Sequence, residues 1–67
     1  MRIELDKGAD TLYVYFKDIS EGEVDKTISL NDSINVDLGC DGRTLGIEIL
    51  DASKNLPASA FGATVVV

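Results

Sequence analysis

The sequence predicts a mostly β domain of the α+β class, with an antiparallel sheet of four to five strands and a short C-terminal helix. Two observations support this class. Apolar and polar residues alternate along most of the chain, and clusters of Gly, Asp, Asn and Ser separate the alternating runs. Such alternation is typical of strands with one buried face, and such clusters are typical of turns. The 67 residues leave room for one small domain, residues 1–67.

The first two strands are predicted at residues 2–5 and 11–16, joined by a turn at Asp6–Asp10 that contains a glycine. Glycine accepts a positive φ and Asp side chains bond turn N–H groups, so the two runs are expected to form a hairpin. Tyr13 and Tyr15 are expected on one face of the second strand. The residues expected on its other face, toward the core, are Leu12, Val14 and Phe16.

The middle of the chain predicts a loop, a third strand and a second hairpin. The solvated loop carries the acids Asp18, Glu21, Glu23 and Asp25. A third strand is predicted from Val24 to Leu30, followed by a turn at Asn31–Ser33. Residues 34–38 and 44–49 then alternate on either side of Asp41-Gly42, a dipeptide typical of hairpins. In this second hairpin Arg43 is expected to pair with Asp37.

The C-terminal part predicts a short helix and an edge strand. Asp51 is the expected N-cap of the helix, which ends near Asn55. Pro57 either follows the helix end or begins a second turn, which Gly62 would stop. The tail, residues 64–67, is rich in valine and is expected to pair with a sheet edge, either its own or that of a neighbouring molecule.

Charge excludes several functions. The chain carries 6 Lys and Arg against 12 Asp and Glu, a net charge of −6. The basic residues are scattered, whereas binding to nucleic acid or an anionic membrane needs clustered cations. The acidic balance favours a basic protein partner, although its plainer interpretation is that it keeps a small protein soluble.

Cysteine and histidine usage limits the chemistry further. Cys40 is the one cysteine and histidine is absent, so there is no intrachain disulfide and no base to activate the thiol. We expect an ordinary turn thiol in a reducing compartment. The chain has neither an apolar run of about 18 residues nor the apolar core of a signal peptide, so we expect a soluble cytoplasmic protein.

Small size favours self-association. A domain of this length buries little apolar surface, and such domains commonly need disulfides, a metal or a partner subunit. This chain cannot form an intrachain disulfide, and it has only carboxylates and one thiol to ligate a metal. We therefore expect a homodimer to stabilise the fold.

Two motifs make the chain resemble the bacterial and archaeal family called domain of unknown function 2283, from about residue 3 to residue 57. The residues that fit the first motif, D-x-x-x-D-x-L-Y followed by a hydrophobic residue, are Asp6, Asp10, Leu12, Tyr13 and Val14. Those that fit the second are Val36, Asp37, Asp41, Gly42, Arg43, Gly46, Ile47, Glu48, Ile49, Leu50, Ala52 and Ser53. The resemblance implies a small β-rich domain and transfers no catalytic residue. Genes of families like this one often lie beside genes for small basic toxin-like proteins, so the resemblance also implies an antitoxin role as one expectation.

One constellation suggests a metal site. Asp37, Gly39, Asp41, Gly42 and Glu48 match positions of a calcium-binding loop, with Gly39 in place of an acid. The flanks alternate as strands, whereas the calcium loop needs flanking helices, so a plain hairpin is preferred. Acid–base catalysis by Glu48 and Asp51 would require an apolar pocket that raises the pKa of one carboxyl group, and so small a core has little room for such a pocket.

The preferred function is a non-enzymatic, acidic protein–protein interaction module, of which an antitoxin-like binder of a small basic protein is one form. We assign no catalytic, cofactor-binding or metal-ligating residue and no cofactor. Tyr13 and Tyr15 are candidate binding anchors, or they pack under the helix or against a dimer mate. The alternative function is binding of a small ligand or divalent metal by Asp37, Asp41 and Glu48 of the hairpin.

Overall fold

One six-stranded sheet organises the protein in the computed structural model, which describes residues 1–63, 65 and 66. The strands are β1 (Arg2–Asp6), β2 (Thr11–Tyr15), β3 (Lys26–Ser29), β4 (Ile34–Leu38), β5 (Thr44–Ile49) and β6 (Val65–Val66). Their order across the sheet is β3-β4-β5-β2-β1-β6, with antiparallel neighbours except for the parallel pair β1 and β6. The predicted mostly β fold, with an antiparallel sheet of four to five strands, is confirmed by the antiparallel strands β1 to β5, to which β6 adds a parallel edge.

The valine-rich tail adds the sixth strand. Val65 and Val66 pair with Glu4 and Leu5 of β1, as expected for a tail that joins a sheet edge. Thr64 and Val67, the other two residues of the predicted tail strand, lie outside the described residues. In the part of the chain that the structure describes, no helix is long and apolar enough to cross a membrane.

The strand register gives the sheet an apolar face and a polar face, because successive side chains point to opposite sides. On the apolar face, one row across the sheet is formed by Ile28, Val36, Ile47, Val14 and Ile3. The next row is formed by Leu30, Ile34, Ile49, Leu12 and Leu5. On the polar face, one row across the sheet is formed by Ser29, Asn35, Glu48, Tyr13 and Glu4. The next row is formed by Thr27, Asp37, Gly46, Tyr15 and Arg2.

A short helical segment covers one end of the apolar face. It consists of α1 (Ala52–Asn55) and a 3-10 helix (Ala58–Ala63) on either side of Pro57. Both a helix that ends at Asn55 and a second turn after Pro57 are therefore present, but Gly62 lies within that turn and does not stop it. Ala52 is completely buried against Leu5 and Leu12, and Leu56 and Phe61 pack around them.

The core cluster formed by Leu5, Leu12 and Ala52 lies at this covered end. In the described part of the chain the buried hydrophobic residues are Leu5, Leu12, Leu45 and Ala52. Phe16, expected to face the core, is 45% exposed, and that expectation is wrong. Phe16 follows the alternation of the apolar face, but the helical segment does not extend to the C-terminal end of β2, where Phe16 lies.

The helix is held by an aspartate from the first hairpin and not by its own N-cap. Asp51 occupies the N-cap position with φ 49°, but its side chain makes no capping hydrogen bond. Instead, the backbone oxygen of Asp10 accepts the Ala52 N–H at 2.9 Å. The Asp10 carboxylate accepts the Ser53 N–H at 3.0 Å and the Ser53 hydroxyl at 2.6 Å. The predicted capping role of Asp51 thus belongs to Asp10, which also takes the positive φ (54°) of its turn.

Replacement of Asp10 by glycine is expected to lower the free energy of unfolding by about 1 kcal/mol more than Asp51→Gly does. Both aspartates have a positive φ that glycine accepts, but only Asp10 bonds the helix through its carboxylate. Denaturant unfolding of the two variants measures the difference. Equal losses in the two variants would show that the carboxylate does not hold the helix.

Candidate functional site on the polar face

The polar face is built around Tyr13, which lies across Gly46 to reach Asp37. The Tyr13 hydroxyl donates a hydrogen bond to Asp37 Oδ2 at 2.5 Å. Gly46 lies directly opposite Asp37 in β5, and a Cβ added to it would overlap the Tyr13 ring. The missing side chain of Gly46 therefore makes room for the ring. It allows a diagonal contact between the non-adjacent strands β2 and β4.

Two further cross-strand hydrogen bonds engage the carboxylates of this face. The Thr27 hydroxyl donates to Asp37 Oδ1 at 2.6 Å, so both oxygens of Asp37 accept a hydrogen bond. The Asn35 amide donates to Glu48 Oε1 at 3.2 Å. These bonds link β3, β4, β5 and β2 on the side away from the helical segment, and they fix the positions of two carboxylates.

The other end of the face is a stack of aromatic and cationic groups. The ring centroids of Tyr13 and Tyr15 lie 4.5 Å apart, with the rings tilted by 50°. The Arg2 guanidinium carbon lies 4.3 Å from the Tyr15 ring centroid. Arg2 also forms ion pairs with Glu4 at 2.8 Å and Asp18 at 2.9 Å. Helix α1 lies on the opposite face, so the expectation that the helix covers the tyrosines is wrong.

The environment of Tyr13 keeps its phenol neutral. Burial is the largest cause that raises the pKa of Tyr13, because the phenolate would lose hydration. The hydrogen bond to Asp37 and the negative charge of Asp37 raise this pKa further, since a neutral phenol can donate and a phenolate would be repelled. Tyr13 is therefore a fixed hydrogen-bond donor at neutral pH.

The three residues of the alternative metal site are not brought together as the motif suggested. Asp37 and Glu48 lie on the polar face, where Tyr13, Thr27 and Asn35 bond them. The Asp41 carboxylate lies in the β4–β5 turn, where it accepts the Arg43 N–H at 3.0 Å. Among the described residues there is no group of three or more His, Cys, Asp or Glu side chains placed to hold a metal ion. Metal or ligand binding there stays a prediction that a calcium titration would test.

The turn also corrects the expected pairing of Arg43. Its guanidinium lies 3.5 Å from Asp41 Oδ2, whereas Asp37 faces Gly46 and bonds Tyr13. The reason is the register of the hairpin, which places Gly46, three residues after Arg43, opposite Asp37. Cys40 is an exposed free thiol in the same turn.

The acidic loop, residues 18–25, borders one end of the polar face. Asp18 reaches Arg2, as described above. Glu23 binds Lys17 at 2.5 Å and accepts the Ser20 N–H at 2.9 Å. The hydrogen bond from Lys17 is the main cause that lowers the pKa of Glu23. Glu21 and Asp25 are exposed, so the loop presents negative charge at this end of the sheet.

Two open depressions that share Lys17 lie at the end of the sheet where β2 and β4 end and β5 begins. One, of about 270 Å³, is lined by Met1, Arg2, Tyr15, Lys17 and Asp18. The other, of about 230 Å³, is lined by Lys17, Glu23, Gly39, Cys40, Asp41, Arg43 and Leu45. Neither is lined by Tyr13, Asp37 or Glu48. The hydrogen-bonded centre of the polar face is therefore a surface and not the wall of either depression.

Sequence reasoning missed Thr27, Asn35 and Gly46 as members of this site. The hairpin register contained a signal for two of them. Counting back from Asp41-Gly42 as the turn places Asn35 opposite Glu48 and Gly46 opposite Asp37, as observed. No local signal pointed to Thr27, since its role depends on the pairing of β3 with β4.

The fold and this face define a class of protein: a small antiparallel β-sheet domain whose polar side chains form a hydrogen-bonded sheet surface. A protein-family model described as "Protein of unknown function (DUF2283)" matches residues 2–53. The chain therefore belongs to this family, and the resemblance noted from the two motifs is confirmed. Searches of curated proteins and of solved structures found no match.

Replacement of Gly46 by alanine is expected to lower the free energy of unfolding by about 1–3 kcal/mol, because the new methyl group displaces the Tyr13 ring. Gly8→Ala is the control, since a Cβ there would meet Asp6 Oδ1 at an ordinary 3.4 Å. In a Tyr13→Ala background the Gly46→Ala cost is expected to shrink. Denaturant unfolding of the four variants measures this coupling. An undiminished cost without the ring would refute the steric explanation.

Phenolate formation at Tyr13 is expected only above the unfolded-state pKa of about 10. Since the folded pKa is the higher one, the associated stability is complete below that value and is lost as pH rises through the folded pKa. Ultraviolet titration of a Tyr15→Phe variant isolates the Tyr13 signal. Asp37→Asn is expected to lower the midpoint by removing the charge. An unchanged midpoint in Asp37→Asn would show that burial, and not the charge of Asp37, raises the pKa of Tyr13.

Proposed function

We propose that this chain is a non-enzymatic interaction module that binds another protein through the polar face and the adjoining acidic loop. The proposed partner is a small basic protein, and an antitoxin-like pairing is one form of this function. The observation that carries the proposal is the pair of stacked tyrosines held beside fixed carboxylates on a sheet face that the helical segment leaves uncovered.

The distribution of charge supports a basic partner. In the described part of the chain, four acids take part in ion pairs: Glu4, Asp18, Glu23 and Asp41. Among the described residues, the other acids have no cationic side chain within ion-pair distance, and the net charge of the chain is −6. Uncompensated charge of one sign steers a partner of opposite sign and speeds association.

The rigidity of the polar face supports binding of a protein surface. Side chains that must be ordered on association cost free energy, and those already fixed by hydrogen bonds cost less. Tyr13, Asp37 and Glu48 are fixed in this way. Tyrosine is enriched among the residues that dominate binding energy at protein interfaces.

We also propose a cytoplasmic location for the module. Cys40 is exposed and free, and exposed free thiols persist best in a reducing compartment.

Charge reversal in the acidic loop is expected to weaken partner binding. Glu21→Lys is the test variant, and Tyr15→Ala is expected to weaken the same complex by removing an aromatic anchor. Asp32→Lys is the control, because it makes the same charge change in the β3–β4 turn, at the end of β3 away from the loop. The measurement is retention of lysate proteins at low salt on immobilised wild type and variants.

The expected result is a stoichiometric basic protein that elutes as salt rises, binds Asp32→Lys normally and is lost from Glu21→Lys. Retention of an acidic protein, or equal losses in Glu21→Lys and Asp32→Lys, would contradict recognition by the loop and the polar face.

A further inference from the structure

In the described structure, no residue of β3 or β4 belongs to the core cluster under the helical segment. We call Phe16, Ile28, Val36 and Ile47 the open apolar patch. Phe16 and Ile28 are 45% and 39% exposed, and Val36 and Ile47 are half-buried. Ile28, Val36 and Ile47 are direct cross-strand neighbours, so three strands present a continuous apolar surface.

We propose that a second copy of this chain covers the open apolar patch, so that two sheets pack face to face in a symmetric dimer. In such a dimer the same patch lies on both sides of the two-fold axis. Packed sheets lie about 10 Å apart with interdigitating side chains, an arrangement that suits a flat row of Ile and Val. The proposal concerns the face opposite to the one in the proposed function and does not depend on it.

The distribution of charge favours a second copy over a basic protein at this patch. The carboxylates of the strands, Glu4, Asp6, Asp37 and Glu48, all belong by alternation to the polar face. A basic partner would therefore find no strand carboxylate on the apolar side. Two copies with a net charge of −6 each repel one another elsewhere, and a patch without carboxylates is where they can approach most closely.

The area of exposed surface also supports a second copy of the chain as the partner that covers the open apolar patch. The chain exposes 4477 Å², whereas a folded monomer of 7.2 kDa is expected to expose about 4,100 Å². Strand spacing and rise give a face of three strands and five residues a projected area on the order of 240 Å². The accessible area of side chains exceeds their projection, so two copies together approach the roughly 1,000 Å² of a specific interface. A dimer of micromolar affinity is the expected result.

Sedimentation equilibrium and light scattering of the wild-type protein, from low micromolar to millimolar concentration, test the proposal. We expect a mass that rises from monomer to dimer. We also expect the dimer to strengthen with salt, because salt screens the repulsion between like charges and does not weaken apolar burial. Complexes with a basic partner weaken with salt, so failure of this proposal and failure of the proposed function are distinguishable.

Ile28→Glu is the test variant and Ser29→Glu its matched control. Both add one negative charge to β3, but Ile28 lies on the apolar face and Ser29 on the polar face. We expect dimer affinity to fall at least tenfold in Ile28→Glu and to change little in Ser29→Glu. Circular dichroism checks that each variant folds.

Methyl NMR of the wild type gives a second readout that needs no variant. Upon dilution, the methyl signals of Ile28, Val36 and Ile47 are expected to shift. A monomer mass at every concentration would overturn the proposal. So would a dimer that Ile28→Glu leaves intact, or dilution shifts confined to residues of the polar face.

Discussion

The helical segment after β5 covers the β1–β2 end of the apolar face and stops there, and this limit shapes the rest of the structure. Its position is set by Asp10, whose backbone and carboxylate bond Ala52 and Ser53 from the first hairpin. Because the anchor lies at the edge of the β1–β2 hairpin, the cover cannot also lie over β3 and β4. The core cluster of Leu5, Leu12 and Ala52 is therefore small, and Phe16, at the other end of β2 from Asp10, stays exposed.

The polar face compensates for a thin core by linking strands through side chains. Tyr13 spans Gly46 to bond Asp37, and Thr27 bonds the same carboxylate from the edge strand. A buried or half-buried polar group is costly when it is unpaired and stabilising when it is satisfied. Several residues through which the chain resembles its family, among them Asp10, Tyr13, Asp37 and Gly46, have such structural roles. These residues thus serve the fold, and function must be argued from the surface.

The sequence predicted what depends on local pattern and missed what depends on distant pairing. Alternation was sufficient to predict five strands, their two faces and the hairpin around Asp41-Gly42. The contact between Asp10 and Ser53 joins residues 43 positions apart, and no local pattern indicates it. Asp51 had the expected N-cap chemistry, but its backbone is left-handed and its side chain does not bond the helix. The exposure of Phe16 depends on the extent of the cover, which alternation cannot show.

The two faces have opposite chemistry, and the two proposed interactions are therefore compatible. A dimer formed through the open apolar patch buries Ile28, Val36 and Ile47 and leaves Tyr13 and Tyr15 of both copies pointing outward. Such an assembly presents two polar faces, each with its acidic loop. A partner with two matching sites would bind it with an effective concentration set by the separation of the two faces. Self-association would then strengthen binding of a basic partner without adding a contact to either polar face, and the apolar and acidic features of this small domain would act in a single assembly.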